Sequence, residues 1–262
     1  MLYADRRRAE SFGLDAQRYD RSRPRYPDAL IDAVLGSSPK ETMVLDVGCG
    51  TGIAARQMSE RGAAVLGVEP DRRMADLAAQ RGTVVEIGTF ESWEPGGRRF
   101  DRVTAGQSWH WINPAKGTRK AAAVLRPAGR LCVFWNVAEM PADLDSQLSE
   151  VYRRLAPRVD DYSVLLGRSP DQSEYAKGRF ADQIEGIARC AELGAPAAER
   201  FLDTRTYSSE QWLDQLGTHS DHAVMEAPTR DLLLEAIRQV IDGLGGSFEM
   251  TYHAWLVSAT RL

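Results

Sequence analysis

The chain has 262 residues, of which 43% are hydrophobic and 27% charged, and its formal net charge at pH 7 is −4. This length and composition are typical of a soluble globular protein, so we expect a single domain over residues 1–262. The negative balance argues against a broad phosphate-binding surface, and no nucleic-acid partner is expected, although arginines make the N-terminus locally basic.

Cysteine usage and hydropathy indicate the compartment. Cys49, Cys132 and Cys190 show no C-x-x-C spacing, which suggests a reducing environment. No apolar run reaches the length of a membrane span, and residues 1–30 contain no apolar signal core. We therefore expect a cytoplasmic protein without a membrane partner.

The first 27 residues form a polar, arginine-rich arm. Pro24 and Pro27 stop a continuous helix here, because proline has no backbone N–H to donate. The chain that follows predicts a helix from Pro27 or Asp28 to Leu35, ended by Gly36.

The strongest pattern lies at residues 43–52. Val44, Leu45 and Val47 predict a strand that is covered on both faces. The chain then runs through glycines at positions 48, 50 and 52 into a helix that begins at Ile53. Glycines allow positive φ and close approach of a ligand, and the helix N-terminus offers N–H groups. This order of elements predicts a nucleotide-binding pocket.

Two acidic residues narrow the choice of nucleotide. Asp46 stands two places before the first glycine, and the second strand, residues 64–68, ends in Glu69, which is placed to accept hydrogen bonds from a ribose diol. Ile53 occupies the place of the last glycine in the dinucleotide fingerprint G-x-G-x-x-G. This substitution disfavours an NAD-linked oxidoreductase, which stays open as an alternative.

Residues 46–52 and Glu69 together resemble the first two motifs of the class I S-adenosylmethionine-dependent methyltransferases. More narrowly, three pairs in the arm resemble the head of the methyltransferase type 11 or trans-aconitate methyltransferase-like small-molecule group: Tyr19-Asp20, Arg23-Pro24 and Tyr26-Pro27. The resemblance implies an α/β fold with a doubly wound, Rossmann-like sheet of seven strands in the order 3-2-1-4-5-7-6, the last strand antiparallel. It also implies S-adenosyl-L-methionine as cofactor, with residues 1–27 folded over it.

The resemblance covers residues 12–137 well, and it carries the cofactor contacts with it. Thr89 stands where the family often has an acid that meets the adenine amino group, so this contact is weaker here or is taken by Glu91 or water. The cofactor-binding residues implied in this way are Tyr19, Asp46, Gly48, Cys49, Gly50, Gly52, Glu69, Pro70, Met74, Thr89, Phe90, Glu91 and Gln107.

The fourth strand, residues 100–107, delivers Ser108-Trp109-His110-Trp111 at its C-terminal end, where open α/β sheets bind ligands. Methyl transfer needs the acceptor held in line with the methyl group, at about 3 Å, with water excluded. His110 is the candidate catalytic residue, taking a proton from a hydroxyl or orienting a carboxylate. The alternative is that His110 and its neighbours only pack. The proposed substrate-binding residues are Arg23, Trp109, His110, Trp111, Trp135 and His219.

The stretch after the fourth strand lacks the acid- or asparagine-Pro-Pro-aromatic loop of amino-directed nucleic-acid methyltransferases. That branch of the family is therefore disfavoured.

The rest of the chain completes the sheet around an insertion. A helix over residues 114–125 leads to a fifth strand that closes at Trp135 and Asn136. Residues 137–198 are predicted to be a helical insertion, acting as a lid or as an oligomer contact. A sixth strand, a capping box at residues 208–211, a long helix and a seventh strand follow. His219 and His222 form a pair without a suitably spaced third ligand, so no metal is expected, and His253 is read as structural.

We therefore expect transfer of a methyl group from S-adenosyl-L-methionine to a small-molecule acceptor, at oxygen, nitrogen or carbon. A non-catalytic cofactor-binding protein is the second alternative beside the NAD-linked oxidoreductase. The sequence leaves open the acceptor, the role of the insertion, and whether the chain is a monomer or a homodimer.

Overall fold

The computed structural model describes residues 12–157, 178, 180–223 and 225–262. Its seven strands are β1 (Met43–Val47), β2 (Ala64–Glu69), β3 (Val84–Ile87), β4 (Phe100–Gly106), β5 (Leu125–Glu139), β6 (Ala197–Ser208) and β7 (Ser247–Thr260). Its α-helices are Ala16–Ser22, Asp28–Leu35, Ile53–Glu60, Arg72–Gln80, Pro114–Val124, Ala142–Leu155, Ala181–Ala188, Ser209–Leu216, Ser220–Ala223 and Ala227–Gly243, with short 3-10 turns at Phe12–Asp15, Pro39–Glu41 and Trp109–Trp111.

The strands form one sheet in the order β3-β2-β1-β4-β5-β7-β6. Strands β1 to β5 pair in parallel, whereas β7 pairs antiparallel with both β5 and β6. The predicted fold class, strand order and antiparallel last strand are therefore confirmed.

Helices cover both faces of this sheet. Successive residues of β5 alternate between the two cores, as a strand with a period of two requires: Val133 packs in one core with the helices Pro114–Val124 and Ala181–Ala188, and Phe134 in the other with Asp28–Leu35 and Ile53–Glu60. Coverage on both faces explains the continuous apolar character of β1, which the sequence pattern predicted.

A third apolar cluster forms a cap at the C-terminal edge of the sheet. The cap consists of the helices Ala142–Leu155, Ser209–Leu216 and Ala227–Gly243, which bury Leu148, Trp212 and Ile237 among others. Because β6 runs parallel to β5, the chain leaves β6 and enters β7 at the edge where the glycine turn also lies.

The cap differs from the predicted insertion at residues 137–198. Strand β5 continues to Glu139 and β6 begins at Ala197, so both predicted boundaries fall inside strands. Helix Ala181–Ala188 packs on the sheet beside Pro114–Val124, and two of the three cap helices come from the later connection between β6 and β7. Residues 158–177 of the predicted lid, and arginines 6–8 of the arm, lie outside the described residues.

The capping box after β6 was predicted correctly. The Ser208 hydroxyl accepts from the backbone N–H of Gln211, and the Gln211 side chain accepts from the N–H of Ser208. These reciprocal bonds satisfy two N–H groups at the start of helix Ser209–Leu216 and fix where the cap departs from the sheet.

Candidate functional site

The glycine turn after β1 is open to a ligand at its centre. All three glycines have positive φ, and Cβ atoms at Gly48 and Gly52 would lie 2.7 Å from Ser108 Cβ and 2.6 Å from Thr83 Oγ1. A Cβ at Gly50 would meet nothing nearer than Met74 Cε, at 3.6 Å. Neighbouring side chains therefore leave no room for a Cβ atom at Gly48 or Gly52, whereas the space beside Gly50 is open. Met74 itself is buried.

The carboxylate of Glu69 is clamped to this turn. Its Oε2 accepts from the backbone N–H of Gly50, and its Oε1 from that of Asp71, both at 2.9 Å. Each oxygen keeps a further lone pair, so two more donors can still be accepted. Burial raises the pKa of Glu69 to about 7, against the two backbone bonds, which favour the charged form.

Asp46 lies beneath the turn rather than in it. Its Oδ1 accepts from the Thr104 hydroxyl at 2.8 Å, and its Oδ2 has no hydrogen-bond partner within the described part of the chain. Burial raises the pKa of Asp46 to about 7, and the nearby charge of Glu69 adds to this shift.

Two predicted cofactor residues flank the turn in different ways. The Cys49 side chain packs over Gly67 of β2, where a Cβ would come within 2.5 Å of its sulfur. Burial raises the pKa of the Cys49 thiol well above its usual value, so the thiol stays protonated. Pro70 is exposed at the end of β2.

The polar side chains of the segment after β3, which was predicted to contact adenine, hydrogen-bond to other groups of the protein. Thr89 Oγ1 lies 2.7 Å from the Ser92 hydroxyl, and Glu91 Oε1 accepts from the backbone N–H of Asn113. Glu91, offered as a substitute for the family's acid, therefore uses one oxygen at the start of the next helix. The ring of Phe90 is buried, 6.3 Å from the ring of Trp109.

The exit from β4 is a strained turn with several anchors. Gln107 has φ +56°, an unusual value for a residue with a side chain. Its N–H donates to the carbonyl of Phe134 and its side-chain amide to that of Asn136, so the predicted cofactor residue Gln107 uses its amide to join two strand ends. Ser108 Oγ donates to the carbonyl of Val47 at 2.6 Å. These bonds fix residues 108–111 above the sheet.

The structure separates the aromatic residues predicted to contact substrate. Trp109 and Trp135 are 0% exposed, so their assignment as substrate contacts is corrected. Both rings pack in the core between the sheet and the helices on one of its faces. His110 and Trp111 are half-buried, with ring centroids 5.0 Å apart. Only these two of the tryptophan-histidine cluster reach the surface of the site.

Trp135 nevertheless contacts the site through its indole. The ring stacks on Phe180 at 4.1 Å between centroids, and Nε1 donates to His110 Nδ1 at 3.3 Å. The sequence predicted neither contact, because residues far apart in the chain make both.

The arm lies between the glycine turn and the cap. Arg23 donates to the hydroxyl and carbonyl of Thr218 at 2.9 Å, and its guanidinium lies 4.9 Å from the ring centre of Tyr19. Asp214 accepts hydrogen bonds from Arg18 and Arg21. The arginine-rich composition signalled such carboxylate partners but could not identify them.

The two histidines of the cap differ in solvent exposure. His219 is half-buried next to Thr218, whereas His222 is fully buried and bonded to the Tyr152 hydroxyl at 2.8 Å. Burial lowers the pKa of His222 to about 4. His253 contacts the Glu139 carboxylate at 2.5 Å. Over the described ranges, no group of three or more His, Cys, Asp or Glu side chains is arranged to hold a metal.

No helix within the described ranges is both long and apolar enough to cross a bilayer.

Comparison with known proteins agrees with this architecture. Residues 45–133 match a family model described as a methyltransferase domain. An uncharacterized methyltransferase of Mycobacterium tuberculosis is 37% identical over 157 residues, which cover 59% of this chain and 64% of the relative. The ubiquinone biosynthesis O-methyltransferase of Ralstonia nicotianae is 35% identical over 170 residues, covering 61% of this chain and 66% of that protein.

A solved structure from Anaeromyxobacter dehalogenans, assigned as a type II methyltransferase, shares the fold. Its TM-score is 0.63 at 18% identity, over 90% of this chain and 97% of that one. Residues 45–133 therefore match a methyltransferase domain, and the fold is the one seen in the solved methyltransferase structure. The matches span less than two thirds of the length of the Mycobacterium relatives, and the trans-aconitate-like subgroup stays a prediction.

Proposed function

We propose that this protein binds S-adenosyl-L-methionine and transfers its methyl group to a small-molecule acceptor. The observation that carries the proposal is the clamp between Gly50 and Glu69, in which a backbone N–H of an open glycine turn fixes a carboxylate that can still accept two hydrogen bonds, as a ribose diol would donate. The sulfonium cofactor supplies an activated methyl group, so the chain need only bind, orient and exclude water.

The cofactor half of the site is assigned to the ends of β1, β2 and β4. Glu69 accepts from the ribose hydroxyls, and Gly50 gives the backbone room for the ligand. The N-terminus of helix Ile53–Glu60 contributes N–H groups to the same space. Asp46 supports the glycine turn from beneath and does not contact the ligand, because its carboxyl group is buried under the turn.

The acceptor is assigned to the space between His110 and the cap. His110 and Trp111 form its floor at the end of β4, and Arg23 and His219 stand at the boundary of the arm and the cap. The connections between β5 and β6 and between β6 and β7 then determine which acceptor enters. Assigning the cap to acceptor selection also explains why it departs from the edge where the cofactor turn lies.

Turnover tests this proposal directly. The protein is incubated with a cell extract and with S-adenosyl-L-methionine labelled in its methyl group. Small molecules are then separated from macromolecules by size, and the label is measured in each fraction. We expect label in small molecules with the wild type and at least tenfold less with Glu69→Ala. Glu86→Gln, which alters a carboxylate paired with Arg98 on the neighbouring strand, serves as the control.

Two results would contradict the proposal in distinguishable ways. Label confined to macromolecules would refute a small-molecule acceptor. Cofactor binding without any labelled product would favour the non-catalytic alternative.

A further inference from the structure

We propose that Trp135 is a positioning residue for His110, holding the imidazole in the tautomer that carries its proton on Nε2. His110 then gives a hydrogen bond to the acceptor instead of taking its proton. The catalytic meaning of this inference rests on the methyl transfer proposed above, whereas the contact itself is a property of the folded chain.

The direction of the hydrogen bond decides the tautomer. An indole nitrogen can only donate, so His110 Nδ1, 3.3 Å from Trp135 Nε1, must present its lone pair. A neutral imidazole with a bare Nδ1 carries its proton on Nε2. The second ring nitrogen of His110 is therefore a donor.

Trp135 is held where it can impose this choice. It lies in β5, between β4 and β7, and its side chain is fully buried. The Phe180 ring stacks on its indole at an interplanar angle of 12°, which restricts rotation of the indole about its own axis. Burial and stacking therefore hold the N–H group towards His110.

His110 is held equally well from its own side. It lies on the short turn Trp109–Trp111, which the Gln107 and Ser108 contacts fasten to Asn136 of β5 and to the end of β1. Both partners of the contact therefore sit on anchored backbone, as a positioning contact requires.

This tautomer restricts the chemistry at the acceptor. In the transfer step, a lone pair of the acceptor forms the bond to the methyl carbon, and the electron pair of the breaking sulfur–carbon bond stays on sulfur, giving S-adenosylhomocysteine. A neutral His110 with a protonated Nε2 has no lone pair there to receive a proton. The structure thus favours an acceptor whose attacking atom needs to lose no proton to His110 during the transfer, such as an ionised oxygen or an unprotonated amine, with His110 donating to a neighbouring oxygen.

Nitrogen NMR on protein labelled in its histidine and tryptophan rings tests the proposal without any enzyme assay. The chain has four histidines, and the His110 signals are assigned by their loss in His110→Gln. In the neutral ring we expect an unprotonated Nδ1 and a protonated Nε2. The Trp135 indole signal should move with the same pH midpoint as His110, because a doubly protonated ring no longer accepts at Nδ1.

Two tryptophan variants complete the test. Trp135→Phe keeps an aromatic ring and removes the N–H, and we expect the ratio of the Nε2–H to the Nδ1–H form to fall about two- to tenfold. Trp255→Phe is the matched control: Trp255 pairs with Trp135 across β5 and β7, and its indole N–H has no partner among the described residues. This control should leave His110 unchanged.

A proton on Nδ1 in the wild type, or an unchanged tautomer ratio in a folded Trp135→Phe, would overturn the proposal. The wild-type spectrum gives an answer even if a variant fails to fold. Since neither measurement uses a methyl acceptor, failure of this inference and failure of the proposed methyl transfer are distinguishable.

Discussion

The carboxylate of Asp20 lies 2.7 Å from Nη2 of Arg56, and the same guanidinium donates to the carbonyl of Thr51 in the glycine turn. Arg81 approaches the other oxygen of Asp20 at 3.7 Å. Only 6% of the Asp20 side chain is exposed, so this ion pair is screened little by solvent. Asp20 thus ties the arm to the turn, while Arg18 and Arg21 tie it to the cap through Asp214.

We expect Asp20→Asn to lower the free energy of unfolding by about 2 kcal/mol, because a buried charge-assisted hydrogen bond is lost and two arginines lose their counterion. Urea denaturation measures this change. Asp32→Asn is the matched control, since Asp32 pairs with Arg61 on the surface with 64% of its side chain exposed, and it should cost about 0.5 kcal/mol or less. Equal effects of the two substitutions would contradict the special role of Asp20.

Comparing Gly50→Ala with Gly82→Ala should distinguish the loss of stability caused by backbone strain from the loss of cofactor affinity caused by filling the ligand's space. Gly50 and Gly82 both have positive φ, and an added Cβ meets no close atom at either position. Each alanine should therefore cost about 1 to 2 kcal/mol of stability. Only Gly50→Ala should also weaken cofactor binding, by about tenfold or more, because its Cβ occupies the space assigned to the ligand. Calorimetry on both variants checks this, and similar affinities for the two would disprove the placement of the cofactor.

Cofactor affinity should depend on the protonation of Glu69. A ribose diol donates two hydrogen bonds, so it selects the ionised carboxylate, whereas the pKa of Glu69 in the free protein is raised to about 7 by burial. Binding must therefore displace a proton below pH 7, and the dissociation constant at pH 6 should be about tenfold weaker than at pH 8. A Glu69→Gln variant should lose this dependence, and an affinity that is flat between pH 6 and pH 8 in the wild type would count against the role of Glu69.

Asp46 should make the protein less stable as the pH rises. Burial raises its pKa from 3.8 to about 7 in the folded state, so the stabilisation from binding this proton is full below about pH 4 and is lost as the pH rises through 7. Asp46→Asn keeps an acceptor for Thr104 and removes the titration. The difference in unfolding free energy between the variant and the wild type should therefore shift by roughly 3 kcal/mol in the variant's favour between pH 5 and pH 8.

Comparing the variant with the wild type at each pH cancels the titrating groups that do not interact with Asp46, such as His222, whose pKa is lowered to about 4. Glu69 interacts with Asp46, so the comparison is also made in a Glu69→Gln background. A difference that does not vary with pH would show that Asp46 does not titrate in this range.

The strands could be predicted because each has a local signature, whereas their order followed from the resemblance to a known family. The apolar run of β1 indicates a buried strand, and the glycines at positions 48, 50 and 52 indicate a turn with positive φ. The capping box that begins at Ser208 indicates the start of a helix within four residues. The helix Ala16–Ser22 was missed, since its polar sequence forms a helix with ion pairs to distant elements rather than an apolar face.

The site was harder to predict, because its details depend on packing between distant segments. Trp109 and His110 are adjacent in sequence, yet one is fully buried and the other reaches the site, and only the turn at Gln107 decides which. The bond from Trp135 to His110 spans 25 residues and has no motif. The contribution of the later helices to the cap could not be predicted for a similar reason: amphipathic helices reveal an apolar face but not the surface that it covers.

Calorimetric titration with S-adenosyl-L-methionine, S-adenosylhomocysteine and NAD tests the central claim most directly, using the wild type, Glu69→Gln and the control Glu86→Gln. We predict that both sulfur nucleotides bind to the wild type and to the control, that NAD does not, and that Glu69→Gln binds the sulfur nucleotides at least tenfold more weakly. Binding of NAD alone, or no binding of either sulfur nucleotide to folded wild-type protein, would contradict the assignment of the glycine turn and Glu69 to this cofactor.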